Sequence, residues 1–134
     1  MKKGYKTNIE NDTLINNNFR KVLYTGEHLQ LVLMSLQTGE DIGKEVHEGI
    51  DQFIRIESGS GTAYINGIET EVKDGDAIVI PAGAEHNITN TGSLIMKLHT
   101  IYGSPEHKDG AIQETKKIAE EQHHKEQFDG VTTE

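Results

Sequence analysis

Gly75-Asp76-Ala77-Ile78-Val79-Ile80-Pro81-Ala82-Gly83-Ala84-Glu85-His86-Asn87-Ile88-Thr89-Asn90 is the stretch that decides how this chain folds. It reads as a turn, a short apolar strand, a tight Pro-x-Gly reversal and a second strand that opens on histidine. Pro81 fixes φ where the first strand ends, and Gly75 and Gly83 relieve backbone sterics at the turns. His86 stands at the start of the returning strand, a position that can point inward.

The same texture extends in both directions. Short apolar runs at Phe19–Thr25, Leu29–Gln37, Gln52–Glu57, Thr62–Asn66, Ile68–Lys73, Ala77–Ile80, Asn87–Asn90 and Leu94–Tyr102 are cut by glycine-containing turns. Many short strands at this spacing predict an antiparallel sandwich or barrel, an all-β class. Asn66-Gly67 suits a two-residue hairpin with positive φ at both positions, and Asp74-Gly75 could serve similarly. Between Ile50 and Glu57, alternation puts Ile50, Gln52, Ile54 and Ile56 on one face, read as interior. Gln52 is the odd member, because an uncompensated buried amide costs about 1–3 kcal/mol and so needs a partner.

Three segments follow. Residues 1–18 are polar and Asn-rich, an N-terminal arm with one short strand. Residues 19–103 form the barrel domain, and 104–134 a tail with four Lys against eight acidic residues. Ala111–Gln127 has the composition of a short C-terminal helix, and Phe128–Glu134 is expected to be mobile. The whole chain has 134 residues, a single-domain length, with 13 basic against 22 acidic residues and a net charge of −9. That balance argues against nucleic acid and against anionic lipid. No cysteine is present, which removes thiolate nucleophiles, disulfides and cysteine metal sites. No apolar run reaches the roughly 20 residues of a membrane span, so a cytoplasmic protein is expected. The modest core makes a homodimer the expected assembly.

Gly39-Glu40-Asp41-Ile42-Gly43-Lys44-Glu45-Val46-His47-Glu48-Gly49-Ile50-Asp51-Gln52 is the second informative stretch. Glu45 and His47 lie two apart and share a face of a strand. Gln52 is at an odd offset from His47, so a turn or bulge at Glu48-Gly49 has to reset the phase.

Together the two stretches resemble the motifs of the cupin family, G-x5-H-x-H-x3-4-E-x6-G and G-x5-P-x-G-x2-H-x3-N. The second matches at Gly75, Pro81, Gly83, His86 and Asn90. In the first, Gly39 and Gly59 bracket Glu45, His47 and Gln52 at the histidine, histidine and glutamate positions. The resemblance implies a single small cupin barrel, a double-stranded β-helix or jelly roll. It also implies a divalent transition metal (Zn, Fe, Ni or Mn) held at the barrel mouth by Glu45, His47, Gln52 and His86. The usual cupin set is three histidines and a glutamate; this chain offers two imidazoles, a carboxylate and an amide, ligand types that still suit such ions. Gln52 either ligates or orients a water. Glu45 either ligates or acts as a catalytic general base. Taken alone, His47 reads as a mouth histidine bonded to a carbonyl; within the motif it reads as a ligand. Asn90, Pro81 and the glycines read as architectural.

Among the other histidines, His28 and His99 read as partly exposed strand residues, His123 and His124 as solvent-facing, and His107 as a group that a folded-back tail could bring to the site. Arg55 is out of phase with Gln52 and faces away. The chain looks like the small stand-alone cupins termed mannose-6-phosphate isomerase-like. Phosphomannose isomerases use a Gln, Glu and two-His zinc set, but no phosphate-binding cluster is visible here. The expected function is a metal-dependent isomerase or dioxygenase acting on a small polar compound inside the barrel. The alternative is a non-catalytic small-ligand or metal-binding module.

Overall fold

The computed structural model describes all residues, 1–134. Nine strands follow a short first helix: α1 (Ile9–Ile15), β1 (Arg20–Thr25), β2 (Gln30–Leu36), β3 (Asp51–Ser58), β4 (Ser60–Ile65), β5 (Ile68–Lys73), β6 (Ala77–Ile80), β7 (His86–Thr89), β8 (Met96–Gly103) and β9 (Ile112–Gln113), before α2 (Lys116–Glu121). One sheet runs β6-β3-β8-β2-β1-β9 and the other β5-β4-β7, all antiparallel. The segment 39–45 lies along β7 as a further edge, through Gly39 N–H to Asn90 carbonyl, Ile42 to Ile88, and a reciprocal pair between Glu45 and His86. No helix is long and apolar enough to cross a membrane.

Met34, Leu36, Ile54, Ile56, Ile88, Met96 and Leu98 fill the space between the sheets, all at most 1% exposed. Burial of such side chains, each worth about 1.5–3 kcal/mol, is the main stabilising term. The alternation expected in β3 is observed: Gln52, Ile54 and Ile56 are buried, and Arg55 turns outward to Glu57. The β4–β5 hairpin turns at Asn66 (φ 45°) and Gly67 (φ 86°), as the Asn-Gly pair predicts. Asn90 is architectural. Its amide donates to the carbonyls of Leu36 and Leu94, and its oxygen accepts from Gly92 N–H, tying the loop before β8 to the end of β2.

At Gly61 in β4 a Cβ would collide with the carbonyl oxygen of Thr89 on the adjoining strand β7 and with the methyl of Met96 on the facing sheet. Only glycine fits there.

The ends of the chain depart from expectation. The arm contains no strand; Asn8 caps α1 by accepting from Asn11 N–H, and Thr13 buries its side chain against β8 beside His99. The helix expected over 111–127 is confined to Lys116–Glu121, because Ile112 and Gln113 pair with β1 as β9 and Thr115 caps the helix start. The final residues are tethered: Thr133 exchanges hydrogen bonds with Thr25, and Glu134 accepts from the Tyr24 hydroxyl.

Candidate functional site

The two motif segments are stitched together by backbone bonds before any side chain is considered. Glu45 and His86 exchange N–H···O bonds of 3.0 and 2.9 Å, and Gly83 N–H donates to the His47 carbonyl. The Pro81–Gly83 reversal is pinned by Ala82 N–H to Asp51 Oδ1 at 2.8 Å. Gly49, at φ +74°, supplies the turn that brings Gln52 onto the interior face. Gln52 is 3% exposed, and His47 and His86 are also buried.

Within this frame His47 Nε2 lies 3.0 Å from Glu45 Oε2, and Nδ1 lies 3.6 Å from Glu106 Oε1. Burial works against both charges of the Glu45–His47 pair. Their hydrogen bond and mutual attraction prevail, holding the Glu45 carboxyl below its ordinary range and the His47 imidazole above its own. The His47 and His86 rings are 5.1 Å apart, centre to centre. His86 Nδ1 donates to the Ala84 carbonyl at 2.9 Å, the tautomer that leaves Nε2 with its lone pair free. Gln52 Nε2 donates to Thr100 Oγ1, whose hydroxyl in turn donates to the Phe53 carbonyl. Gln52 Oε1 is buried and has no partner.

These donors fit a divalent cation in their chemistry, with two imidazoles, one carboxylate and an orphaned amide oxygen. His86 Nε2 and Gln52 Oε1 are lone pairs that nothing in the protein satisfies. Glu45 and His47 are engaged with each other, and no three His, Asp or Glu side chains gather into a metal-binding group. A metal therefore has to separate the His47–Glu45 contact and displace its proton.

Sequence reasoning missed a second layer. Tyr102, fully buried in β8, meets the His47 ring edge-on and hydrogen-bonds His107 Nε2 at 3.1 Å. His107 Nδ1 in turn stands 2.5 Å from Glu126 Oε1, with no other partner for either atom. Burial drives the Tyr102 hydroxyl up, the His107 imidazole well down and the Glu126 carboxyl up to about 7. The tail does fold back over the site, and His107 reaches it. Glu126 carried no sequence signal, since it sits in a charged stretch that reads as a solvated helix face. Arg20 did carry one, because it alternates with Val22 on the buried face of β1.

The remaining histidines lie elsewhere. His28 is exposed. His99 is buried rather than partly exposed, but on the outer face of β8 beneath α1. His123 and His124 face solvent, His123 at the edge of a cavity of about 160 Å³ that Phe19, Arg20, Glu45, Lys116 and Ala119 also line. A cavity of about 530 Å³ between β4–β5 and β6 is mostly apolar and contains none of the titratable cluster.

Comparison with known proteins bears on this geometry. Residues 32–102 match the family model described as Cupin domain. The chain is 46% identical over 120 residues to the protein YrkC of Bacillus subtilis (strain 168), covering 85% of this chain and 64% of YrkC, so it spans just under two thirds of that relative. It is 43% identical over 113 residues to L612 of Acanthamoeba polyphaga mimivirus, covering 81% and 70%. The crystal structure of BH2720 from Bacillus halodurans superposes with a TM-score of 0.87 at 46% identity, over 89% of this chain and 95% of that one.

Proposed function

This chain belongs to the cupin family, and on that premise we propose that it is a divalent-metal-binding cupin, a metalloenzyme of the isomerase or dioxygenase type acting on a small polar compound inside the barrel. The observation that carries the reading is the buried, unpartnered Gln52 Oε1, which shares the barrel interior with a His86 imidazole held in the ligating tautomer. An orphaned buried acceptor costs about 1–3 kcal/mol, a cost that a bound cation removes.

His47, His86, Glu45 and Gln52 would hold the metal, which supplies Lewis-acid or redox chemistry when bound. The protein's own groups do the rest. Where Glu45 is not a ligand, its Oε2 accepts a proton beside the bound compound, while Tyr102 and the His107–Glu126 pair close the far side and keep bulk water out. Fold alone does not select the reaction, because cupin barrels host several chemistries.

Metal content of untagged protein, measured by plasma mass spectrometry, tests this. The expectation is close to one equivalent of a single transition metal, lost in the His47→Ala/His86→Ala double variant. No metal before or after reconstitution would overturn the metalloenzyme reading. The second reading, a non-catalytic small-ligand module, is favoured by the engagement of His47 with Glu45. Under that reading Glu45→Gln and Gln52→Ala have no turnover to lose.

A further inference from the structure

Arg20 is a buried cation with no ion-pair contact, although its charge acts on Glu45, Glu106 and Glu126 nearby. It is 7% exposed on the interior face of β1, and it forms no ion pair. Its one side-chain hydrogen bond runs from Nη1 to the neutral Gln113 Oε1, at 2.7 Å. Nε is buried with no partner at all. Arginine is almost never buried unless paired, since desolvating a guanidinium without an acceptor is strongly unfavourable.

The side chain is nevertheless held in one place. Gln113 grips Nη1 from β9, and Gln113 Nε2 is in turn engaged by Gln122 Oε1. On another side the guanidinium carbon lies 5.2 Å from the centre of the Phe19 ring, a cation–π contact. A planar fork fixed on two sides, with no protein partner on its Nε–Nη2 edge, is matched by a carboxylate that seats against that edge through two parallel hydrogen bonds. That side chain lines the cavity of about 160 Å³ that also includes Glu45. Lys116, the other cation on this wall, is already paired with Asp41.

We propose that Arg20 is the recognition site for the carboxylate of a small organic acid, the class of compound that enters the barrel beside Glu45. The proposal rests on reading the barrel interior as a binding chamber but not on the metal. Size and charge narrow the class. The cavity is small, about 160 Å³, which suits a small acid better than a bulky one. One unpaired cation neutralises one negative charge. A phosphate dianion would bring a second negative charge beside the Glu45 carboxyl that lines the same cavity. Gln113 is a positioning residue, acting through Arg20.

The test is a titration of metal-stripped protein with glycolate, its neutral twin glycolamide and inorganic phosphate, followed by amide chemical shifts. Saturable shifts with glycolate at Phe19, Arg20 and Ile42–Glu45, and at least about tenfold weaker binding of glycolamide and phosphate, are expected from the strength of a charge-assisted pair. Arg20→Met should weaken glycolate by at least about tenfold, with Arg20→Lys in between. Gln113→Leu should weaken it less. Equal binding of glycolate and glycolamide by the unaltered protein overturns the proposal without any variant having to fold, and phosphate binding more tightly than glycolate overturns the carboxylate class. Metal content of Arg20→Met, measured in parallel, separates the readings: Arg20 is no ligand, so unchanged metal with lost glycolate binding supports this proposal, and glycolate binding that persists in the variant overturns it.

Discussion

The side-chain amide of Gln30 hydrogen-bonds both backbone groups of His107. Nε2 donates to the carbonyl at 2.7 Å, and Oε1 accepts the N–H at 2.9 Å. Oε1 also accepts from Glu106 N–H, and Nε2 donates to Thr25 Oγ1. One fully buried glutamine in β2 thus does for the tail what a neighbouring strand does in a sheet, and it sets Glu106 and His107 against the chamber.

Replacing that amide strands the buried groups it serves. Gln30→Leu is expected to destabilise the protein by about 2–4 kcal/mol, since each orphaned buried polar group costs about 1–3 kcal/mol. Urea unfolding gives the number. A change below about 0.5 kcal/mol would mean that the tail is held by other contacts.

Glu126 makes stability depend on pH. Its folded-state pKa, about 7 against an ordinary 4.5, means that the native state binds more protons than the unfolded chain between those values. Its stabilising contribution is complete below about pH 4.5 and is lost as pH rises through about 7. His107, held well below its ordinary value of 6.5, has the opposite slope below that value. Glu126→Gln removes the carboxyl alone, so the variant should gain stability relative to the parent between pH 5 and pH 8, by roughly 1–3 kcal/mol. Parallel urea melts at the two pH values measure the difference. A constant offset would show that Glu126 ionises freely.

Metal uptake should release a proton from the His47–Glu45 pair. Because His47 holds its proton more tightly than usual, affinity should fall by about tenfold per pH unit below its pKa. Calorimetric titration of zinc in buffers of different ionisation enthalpy counts the protons released. His47→Ala abolishes the release; release undiminished in that variant would place the metal elsewhere.

Gly61→Ala is expected to cost about 3 kcal/mol or more. The obstruction includes the backbone carbonyl of Thr89, which cannot swing aside as a side chain can. Thermal melting that matched the parent would show that β7 and the Met96 side chain can give way at this point.

Much of this molecule was legible because glycine turns punctuate it. Ile68–Lys73 and Ala77–Ile80 were read to the residue, and Gly49 was identified as the phase reset before Gln52. The errors have specific causes. The first helix has a cap at Asn8 but buries only Thr13, too thin an apolar face to detect in an Asn-rich segment. The last helix was read too long because Ile112 and Gln113 have helix-compatible neighbours, and pairing with Arg20 and Lys21 decided their conformation instead. Glu45, His47, Gln52 and His86 were legible through motif spacing; the structure buries His47, Gln52 and His86 and leaves Glu45 partly exposed against His47. Glu106, Gln113 and Glu126 were not, because their positions depend on the distant partners Gln30, Arg20 and His107, which no local pattern encodes, and His107 was visible only as a histidine on a tail able to fold back.

The segment shared with the cupin family model ends at Tyr102, four residues before the first tail group that enters the chamber. Glu106, His107 and Glu126 on one wall of that chamber, and Gln113 that grips Arg20, all lie beyond it. Two proteins of this kind can therefore agree across the whole barrel and still differ in what they accept. Exchange of tails between relatives, with the barrel untouched, becomes a direct way to move selectivity from one to another.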